Sequence, residues 1–363
     1  MTTRREFIGL TTASMALMAS GLRAEIIKSP RPLNILFLGG TGFLGPHQIE
    51  YALARGHNVT MFNRGRNAGM YGDRVEEIVG NRDNTIDDGL SVLRGDRRWD
   101  VVVDNSGYVP RHVRDSVELL KNRCDRYVYV STVAVYDFDT GATEFPENAP
   151  LARLEDPTVE EVTGETYGPL KAACDLIVQE ALGDRATIVR PTYVVGPGDH
   201  TDRFTYWAVR GQRGGDILAP NGPELVVQWV DARDLCPWIV ALAENGTPGI
   251  FNAAAHPYSR AGFMWALRAQ SDQPAAFFWP TAEQLDEAGI NMPMMRDSET
   301  PVTFTNAASV AGGLHYRSLA ATARDTVTWW NAQDEERRAN PRRWPGPEEE
   351  AALVAAIAAE GGG

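Results

Sequence analysis

"PLNILFLGGTGFLGPHQIEYALARGHNVTMFNRG", residues 32–65, decides how this chain folds. Leu33 to Leu38, apolar but for Asn34, is a run of strand length, the pattern of a central parallel strand covered on both faces. It runs straight into Gly39-Gly40-Thr41-Gly42-Phe43-Leu44-Gly45, then a helical segment ending near Gly56, then a second strand over Asn58 to Phe62. Each of three glycines has a separate task. Gly39 permits the tight turn, Gly42 lets backbone approach a pyrophosphate, and Gly45 lets helix pack closely on strand. The helix N-terminus adds free N–H groups and the positive end of its dipole. A glycine pattern alone is common. Set between a strand and a helix, with a second strand after, it predicts a dinucleotide-binding unit in which Thr41, Phe43 and Leu44 are further contacts.

The whole chain fits that beginning. Its 363 residues carry 35 Lys+Arg against 48 Asp+Glu, a formal charge of -13. That balance argues against a nucleic-acid partner or an anionic membrane surface, because phosphate binding needs a basic face. The length suffices for two lobes. Cys124, Cys174 and Cys236 lie far apart, so neither a zinc site nor a disulfide framework is indicated. His200 and Asp202 lack a third partner in the sequence, and no metal is expected.

The first residues read as an address. "TRREFIGLTTASMALMASGLRA", residues 3–24, sets Arg4-Arg5 before Phe7-Ile8 and a short run rich in Ala, Ser and Thr. It is too short and too polar for a membrane-spanning helix, so no stable membrane insertion is expected. It resembles a twin-arginine export signal, with cleavage after Ala19 or Ala24, and implies a periplasmic or otherwise exported protein. The alternative is a frayed basic N-terminus on a cytoplasmic protein. Residues 1–24 are set apart from the fold.

"TYGPLKAACDLIVQEAL", residues 166–182, places Tyr167 four residues before Lys171, on one face of a helix. Pro169 suits the first turn, and Leu170, Ala173, Cys174, Ile177 and Ala181 form an apolar stripe. Tyr-x-x-x-Lys arises often by chance, and its neighbours must decide.

They do. The Gly-x-x-Gly-x-x-Gly spacing resembles the extended short-chain dehydrogenase/reductase family, which includes nucleotide-sugar epimerases and dehydratases. The resemblance continues in chain order through "VVVDNSGY" (101–108), "YVYVSTVAVYD" (127–137), Tyr167 and Lys171, "VRPTYVVGPGD" (189–199) and "VDARDL" (230–235), and covers residues 33 to about 255. It implies an α/β fold: a Rossmann-type doubly wound parallel sheet with a smaller C-terminal substrate-binding lobe. It also implies Thr132 at the family's catalytic Ser/Thr position, with Tyr167 as proton donor or acceptor and Lys171 beside it holding the nicotinamide ribose. A tyrosine titrates near 10 when free, and a neighbouring ammonium lowers that value, so Lys171 is expected to tune Tyr167. Asn81 and Arg82 fall where the family contacts adenine; Asn105 and Pro191 lie in motifs that face the cofactor.

Cofactor choice turns on Asn63-Arg64-Gly65-Arg66, which ends the second strand without an acid. An acid there binds the ribose 2′-OH of NAD and an Arg accommodates the 2′-phosphate of NADP, so NADP is favoured over NAD. Two departures from the family bear on the reaction. Val133-Ala134 stand where dehydratases carry Asp-Glu after the catalytic Thr, and neither transfers a proton. Val227 stands where many members carry an Arg that grips the substrate diphosphate, with Arg203, Arg210 or Arg213 as compensation. In "DHTDRFTYWAVRGQRGG" (199–215), Phe204, Tyr206 and Trp207 with Arg203 and Arg210 form either a wall against a sugar-like ring or a packed amphipathic helix.

The expected function is hydride transfer at a hydroxyl or keto group of a sugar-like substrate. Export favours a redox-neutral epimerase or coupled oxidoreductase that retains its cofactor, since no nicotinamide pool exists outside the cytoplasm. The alternatives are a plain NADP-dependent dehydrogenase or reductase, and a non-catalytic nucleotide- or RNA-binding relative. The expected organisation is a nucleotide-binding domain over 33–195 and 226–255, a substrate lobe over 196–225 and 256–345, and a C-terminal helix and Gly tail over 346–363. Within the lobe, "SLAATARDTVTWWNAQ" puts Leu319, Thr322, Ala323, Thr326, Val327 and Trp330 on one helix face. A homodimer through helices at 111–122 and 167–182 is implied by the family.

Overall fold

The structure is a computed structural model that describes residues 26–295 and 300–360. The expected export signal lies outside the described residues. β1 (Asn34–Leu38) opens the fold, and its Ile35, Leu36, Phe37 and Leu38 are all fully buried. Successive side chains point to opposite faces. Ile35 and Phe37 join Ile49, Leu235 and Ile239 in one core; Leu36 and Leu38 join Val113, Val117, Cys174 and Val178 in another. The apolar run is unbroken because helices cover both faces. Each such side chain stabilises the fold by roughly 1.5–3 kcal/mol.

Beside it stand β2 (Asn58–Asn63), β3 (Glu76–Val79), β4 (Trp99–Asp104), β5 (Cys124–Val130), β6 (Ala186–Pro191) and β7 (Gly249–Ala253). All pair in parallel, in the order β7-β6-β5-β4-β1-β2-β3. In chain order the helices are α1 (Leu44–Ala54), α2 (Pro110–Leu120), α3 (Tyr167–Leu182), α4 (Arg203–Arg213) and α5 (Ala232–Asn245). α1 and α5 cover one face of the sheet, α2 and α3 the other. This is the doubly wound Rossmann-type sheet. The winding reverses at β1, so the chain diverges beyond the carboxyl ends of β1 and β4 and leaves a crevice. Register levels the rim: Leu38 pairs with Phe62 on one side and Asp104 on the other.

The buried face of α3 differs from the apolar stripe expected of it. Leu170, Lys171, Cys174, Asp175, Val178 and Leu182 are buried, whereas Ala173, Ile177 and Ala181 are half-buried. Polar residues turn inward because they have partners there: Arg190 Nε donates to Asp175 Oδ2 at 2.8 Å inside the core. A second core lies apart from the sheet. It draws Phe204 and Trp207 of α4, Phe263 and Met264 of α6 (Arg260–Arg268), Leu319, Val327 and Trp330 of α7 (Leu319–Asn331), and Leu353 of α8 (Pro347–Glu360). Ser318 caps α7 by accepting from Ala321 N, and all six residues expected on its inner face are buried. No helix of the described residues is long and apolar enough to cross a membrane.

Candidate active site

The carboxyl ends of β1, β2, β4, β5 and β6 open into one cleft of about 1610 Å³. Gly39 turns the chain at φ +85, a conformation that L side chains rarely adopt. At Gly45 a Cβ would stand 2.2 Å from Gly40 O, so α1 rests directly on the turn. At Gly42 a Cβ would meet nothing within 4 Å; the backbone there is bare toward the cleft. No side chain caps the N-terminus of α1, which leaves its leading N–H groups for an anion. Asn105 donates Nδ2 to Gln48 Oε1 at 2.6 Å, and its own Oδ1 is buried without a partner. A bare glycine, free amides and an orphaned acceptor on one wall fit a dinucleotide.

All of the expected cofactor contacts line this cleft: Gly39, Thr41, Gly42, Phe43, Leu44, Gly45, Asn63, Arg64, Asn81, Arg82, Asn105, Lys171 and Pro191. Two of them have other work. Asn63 donates to Glu77 Oε1 at 2.8 Å and accepts from Gly65 N, so its amide shapes the turn. Arg82 turns inward, donating to Asp104 Oδ2 at 2.9 Å and Ser116 Oγ at 2.7 Å, and Tyr127 OH donates to the same carboxylate at 2.7 Å. The adenine contact expected of Arg82 is corrected to a core ion pair, because a fully buried Asp104 requires a cation. Arg64 and Arg66 are exposed, and neither has an ion-pair partner among the described residues.

Thr132, Tyr167 and Lys171 are brought to the same cleft. The turn over Val133–Val135 packs against the start of α3 so closely that a Cβ on Gly168 would stand 2.3 Å from Ala134 O. That approach brings Tyr167 close to Thr132, whose hydroxyl acts on the phenol and accepts from Ala134 N at 3.2 Å. Lys171 points deeper. Its Nζ donates to Tyr129 OH at 2.6 Å, Gly107 O at 2.7 Å and Val130 O at 2.8 Å.

Electrostatics correct one expectation. Burial pushes the Tyr167 phenol up to about 12, with Tyr108 adding to the rise, while the Thr132 hydrogen bond and the Arg203 charge pull against it. Burial brings Lys171 down to about 8. The net shift of Tyr167 is therefore upward, set by burial, while the Lys171 ammonium beside it faces three acceptors of its own. Tyr167 is a neutral phenol at ordinary pH, fit to donate a proton.

The aromatic wall is also corrected. Of the five residues proposed for the substrate, Arg203 alone lines the cleft, with its guanidinium 5.2 Å from the centre of the Tyr193 ring. Phe204, Tyr206 and Trp207 are buried in the second core, and Trp207 Nε1 donates to Pro293 O at 2.6 Å. Arg210 donates to Glu350 Oε1 at 2.7 Å. Large aromatic rings gain more from a closed helix packing than from a wet cleft. Sequence reasoning missed Tyr108, Tyr129, Tyr193 and Asp199. Tyr129 was discoverable, since it alternates with Val128 and Val130 on β5 and so faces α3 and Lys171; the loop residues carry no periodicity.

Among known proteins, the model of the NAD dependent epimerase/dehydratase family matches residues 35–254. The chloroplast stem-loop binding protein of 41 kDa b of Arabidopsis thaliana is 25% identical over 243 residues, which span 62% of this chain and 59% of that protein. The chain resembles the structure of UDP-glucuronic acid 4-epimerase from Bacillus cereus in complex with NAD: TM-score 0.60, 16% identity, 82% of this chain and 96% of that one. It resembles UDP-glucose 4-epimerase with UDP-glucose from Thermotoga maritima with a TM-score of 0.59, at 16% identity over 82% and 98% of the two chains. At such identities the likeness is one of fold.

Proposed function

The chain belongs to the NAD dependent epimerase/dehydratase family, and we propose that it oxidises and reduces a hydroxyl-bearing carbon of a sugar-like substrate with a nicotinamide dinucleotide held in the cleft. One observation carries this reading: the Thr132–Tyr167 pair opens onto the same cleft as the bare backbone of Gly42. Bound there, the dinucleotide supplies hydride acceptance and donation, which no side chain performs. The glycine turn and the α1 N-terminus hold its pyrophosphate. Tyr167 gives a proton to the substrate oxygen or takes one from it, Thr132 orients that oxygen, and Lys171 keeps positive charge beneath them. Arg64 and Arg66 favour the 2′-phosphate of NADP; NAD, present in the Bacillus cereus relative, is the alternative. The second core forms the substrate lobe, and α2 with α3 forms a homodimer face.

The resemblance of Thr3-Arg4-Arg5 and the residues after it to an export signal supports a periplasmic enzyme that carries its cofactor with it and runs a redox-neutral cycle, as an epimerase does. An exchangeable NADP would make it a plain dehydrogenase or reductase instead. Purification of the exported protein and fluorescence of the bound dinucleotide decide between them: retained cofactor supports the cycle, and an empty site with weak affinity ends it. The stem-loop binding relative supports a second reading, a binding protein on the same fold. Against it stand the intact Tyr167 and Lys171 and the charge of -13. Tyr167→Phe separates the two, since RNA binding survives that change and hydride transfer does not.

A further inference from the structure

Asp199 closes the turn after the short strand Tyr193–Val195, where Gly196 and Gly198 take φ +118 and +92. That turn abuts the cofactor loop: a Cβ on Gly198 would stand 3.7 Å from the Phe43 ring. Asp199 is one of the residues that line the cleft, and the charge of Arg203 acts on both Asp199 and Tyr167. Asp199 is 1% exposed. Its Oδ1 accepts from Thr201 N at 2.8 Å and Thr201 Oγ1 at 2.7 Å, which fixes the carboxyl group. Its Oδ2 is buried with no hydrogen-bond partner. An acceptor held so rigidly and left without a donor destabilises the fold unless a ligand supplies the donor.

The charge around it narrows the ligand. Asp137, Asp139 and Glu165, which flank Thr132 and Tyr167 in the chain, line the same cleft. Arg260 also lines it but is 1% exposed and donates to Asn221 O at 2.7 Å and Asn221 Oδ1 at 2.8 Å. Val227, also on the lining, brings no charge. A diphosphate in this cleft meets the guanidinium of Arg203 but also four carboxyl groups; a hydroxyl or ammonium meets acceptors.

We propose that Asp199 is the specificity-determining residue of the cleft. Its Oδ2 accepts a hydrogen bond from a free sugar, neutral or amino, and the carboxyl-lined end rejects nucleoside-diphosphate sugars. The inference rests on the dinucleotide reading above. The probes are D-glucose, D-galactose, D-glucosamine and UDP-glucose, titrated into dinucleotide-loaded wild type and Asp199→Asn. Thermal shift and the fluorescence of reduced nicotinamide are the readouts. The asparagine keeps an oxygen for Thr201 and puts a donor in place of Oδ2. Free sugars should act on wild type, act at least about tenfold more weakly on Asp199→Asn, and leave dinucleotide affinity unchanged; UDP-glucose should do nothing. Tighter binding of UDP-glucose than of free sugars, a variant that titrates like wild type, or silence from every free sugar on the loaded enzyme overturns it. The comparison of glucose with UDP-glucose needs no variant, so a misfolded Asp199→Asn leaves the test standing. A wild type that takes no dinucleotide overturns the earlier reading, and this one with it.

Discussion

Gly42 and Gly45 lie three residues apart on one turn, yet alanine at each has opposite consequences. At Gly42 the added methyl meets nothing within 4 Å, and the backbone φ is not positive. Reduced freedom of the unfolded chain then stabilises Gly42→Ala by about 0.4–1 kcal/mol. At Gly45 the methyl would stand 2.2 Å from Gly40 O, 2.3 Å from its carbonyl carbon and 2.5 Å from its Cα. All three are backbone atoms, so α1 must shift by about 1 Å to restore ordinary contact. That strain, about 1–3 kcal/mol, outweighs the gain of up to about 1 kcal/mol in helix propensity. Urea denaturation of the dinucleotide-free proteins measures both: the midpoint rises for Gly42→Ala and falls for Gly45→Ala. Binding inverts the ranking of harm at Gly42, where the methyl occupies the approach of the pyrophosphate. Its dinucleotide affinity falls at least tenfold, about 1.4 kcal/mol, by fluorescence titration. A Gly42→Ala protein that binds like wild type, or a Gly45→Ala protein of wild-type stability, refutes the reasoning.

Tyr167→Phe removes the proton donor and lowers turnover by about 10²–10⁴-fold, while dinucleotide binding and melting temperature hold; activity within a few-fold of wild type sinks the assignment. Lys171 leaves a signature in pH. Its folded value of about 8 lies below the ordinary 10.5, so between those limits the unfolded chain holds a proton that the fold has released. Stability therefore rises with pH across that window, by up to about 3 kcal/mol, and Lys171→Met removes that rise. Equal slopes in the two proteins contradict it. Arg82→Met strands the buried Asp104 carboxylate and costs about 3–5 kcal/mol by denaturant titration; an unchanged midpoint means the pair is not buried as described. Arg64→Ala with Arg66→Ala weakens NADP about tenfold more than NAD, and equal losses remove the 2′-phosphate role.

The fold was legible because its decisive signals are local. The glycine turn needs only neighbouring residues, β1 advertises burial on both faces, and α7 shows its inner face by period alone. α3 misled because hydrophobicity was the only criterion. Its inward Lys171 and Asp175 are buried by partners on β5 and β6, strands 41 and 15 residues away in the chain, which no helical period reveals. α4 misled for the opposite reason: Phe204 and Trp207 look like ligand-binding aromatics until α6 and α7 arrive to cover them. Asp199 was invisible because a loop carboxylate is defined by what fails to bond it, and absence of a partner has no sequence pattern.

The replacement of Asp-Glu by Val133-Ala134 has a physical logic beyond the loss of two proton carriers. Val133 packs in the cluster with Val135, Tyr136, Phe145 and Ala172, and Ala134 O lies against Gly168. Both positions belong to the contact that holds the Thr132 turn on α3. A carboxylate at 133 would lose its hydration inside that cluster, and a partner for it is not at hand. The same close packing that delivers Thr132 to Tyr167 therefore leaves Thr132 as the proton-bearing side chain of this turn. Beside the phenol stand the Thr132 hydroxyl, the Tyr108 ring and the charge of Arg203, and the buried Lys171 and Asp199 line the same cleft. Such a set moves a proton at a single oxygen and binds its neighbours, as the proposed oxidation and return of a hydroxyl-bearing carbon requires.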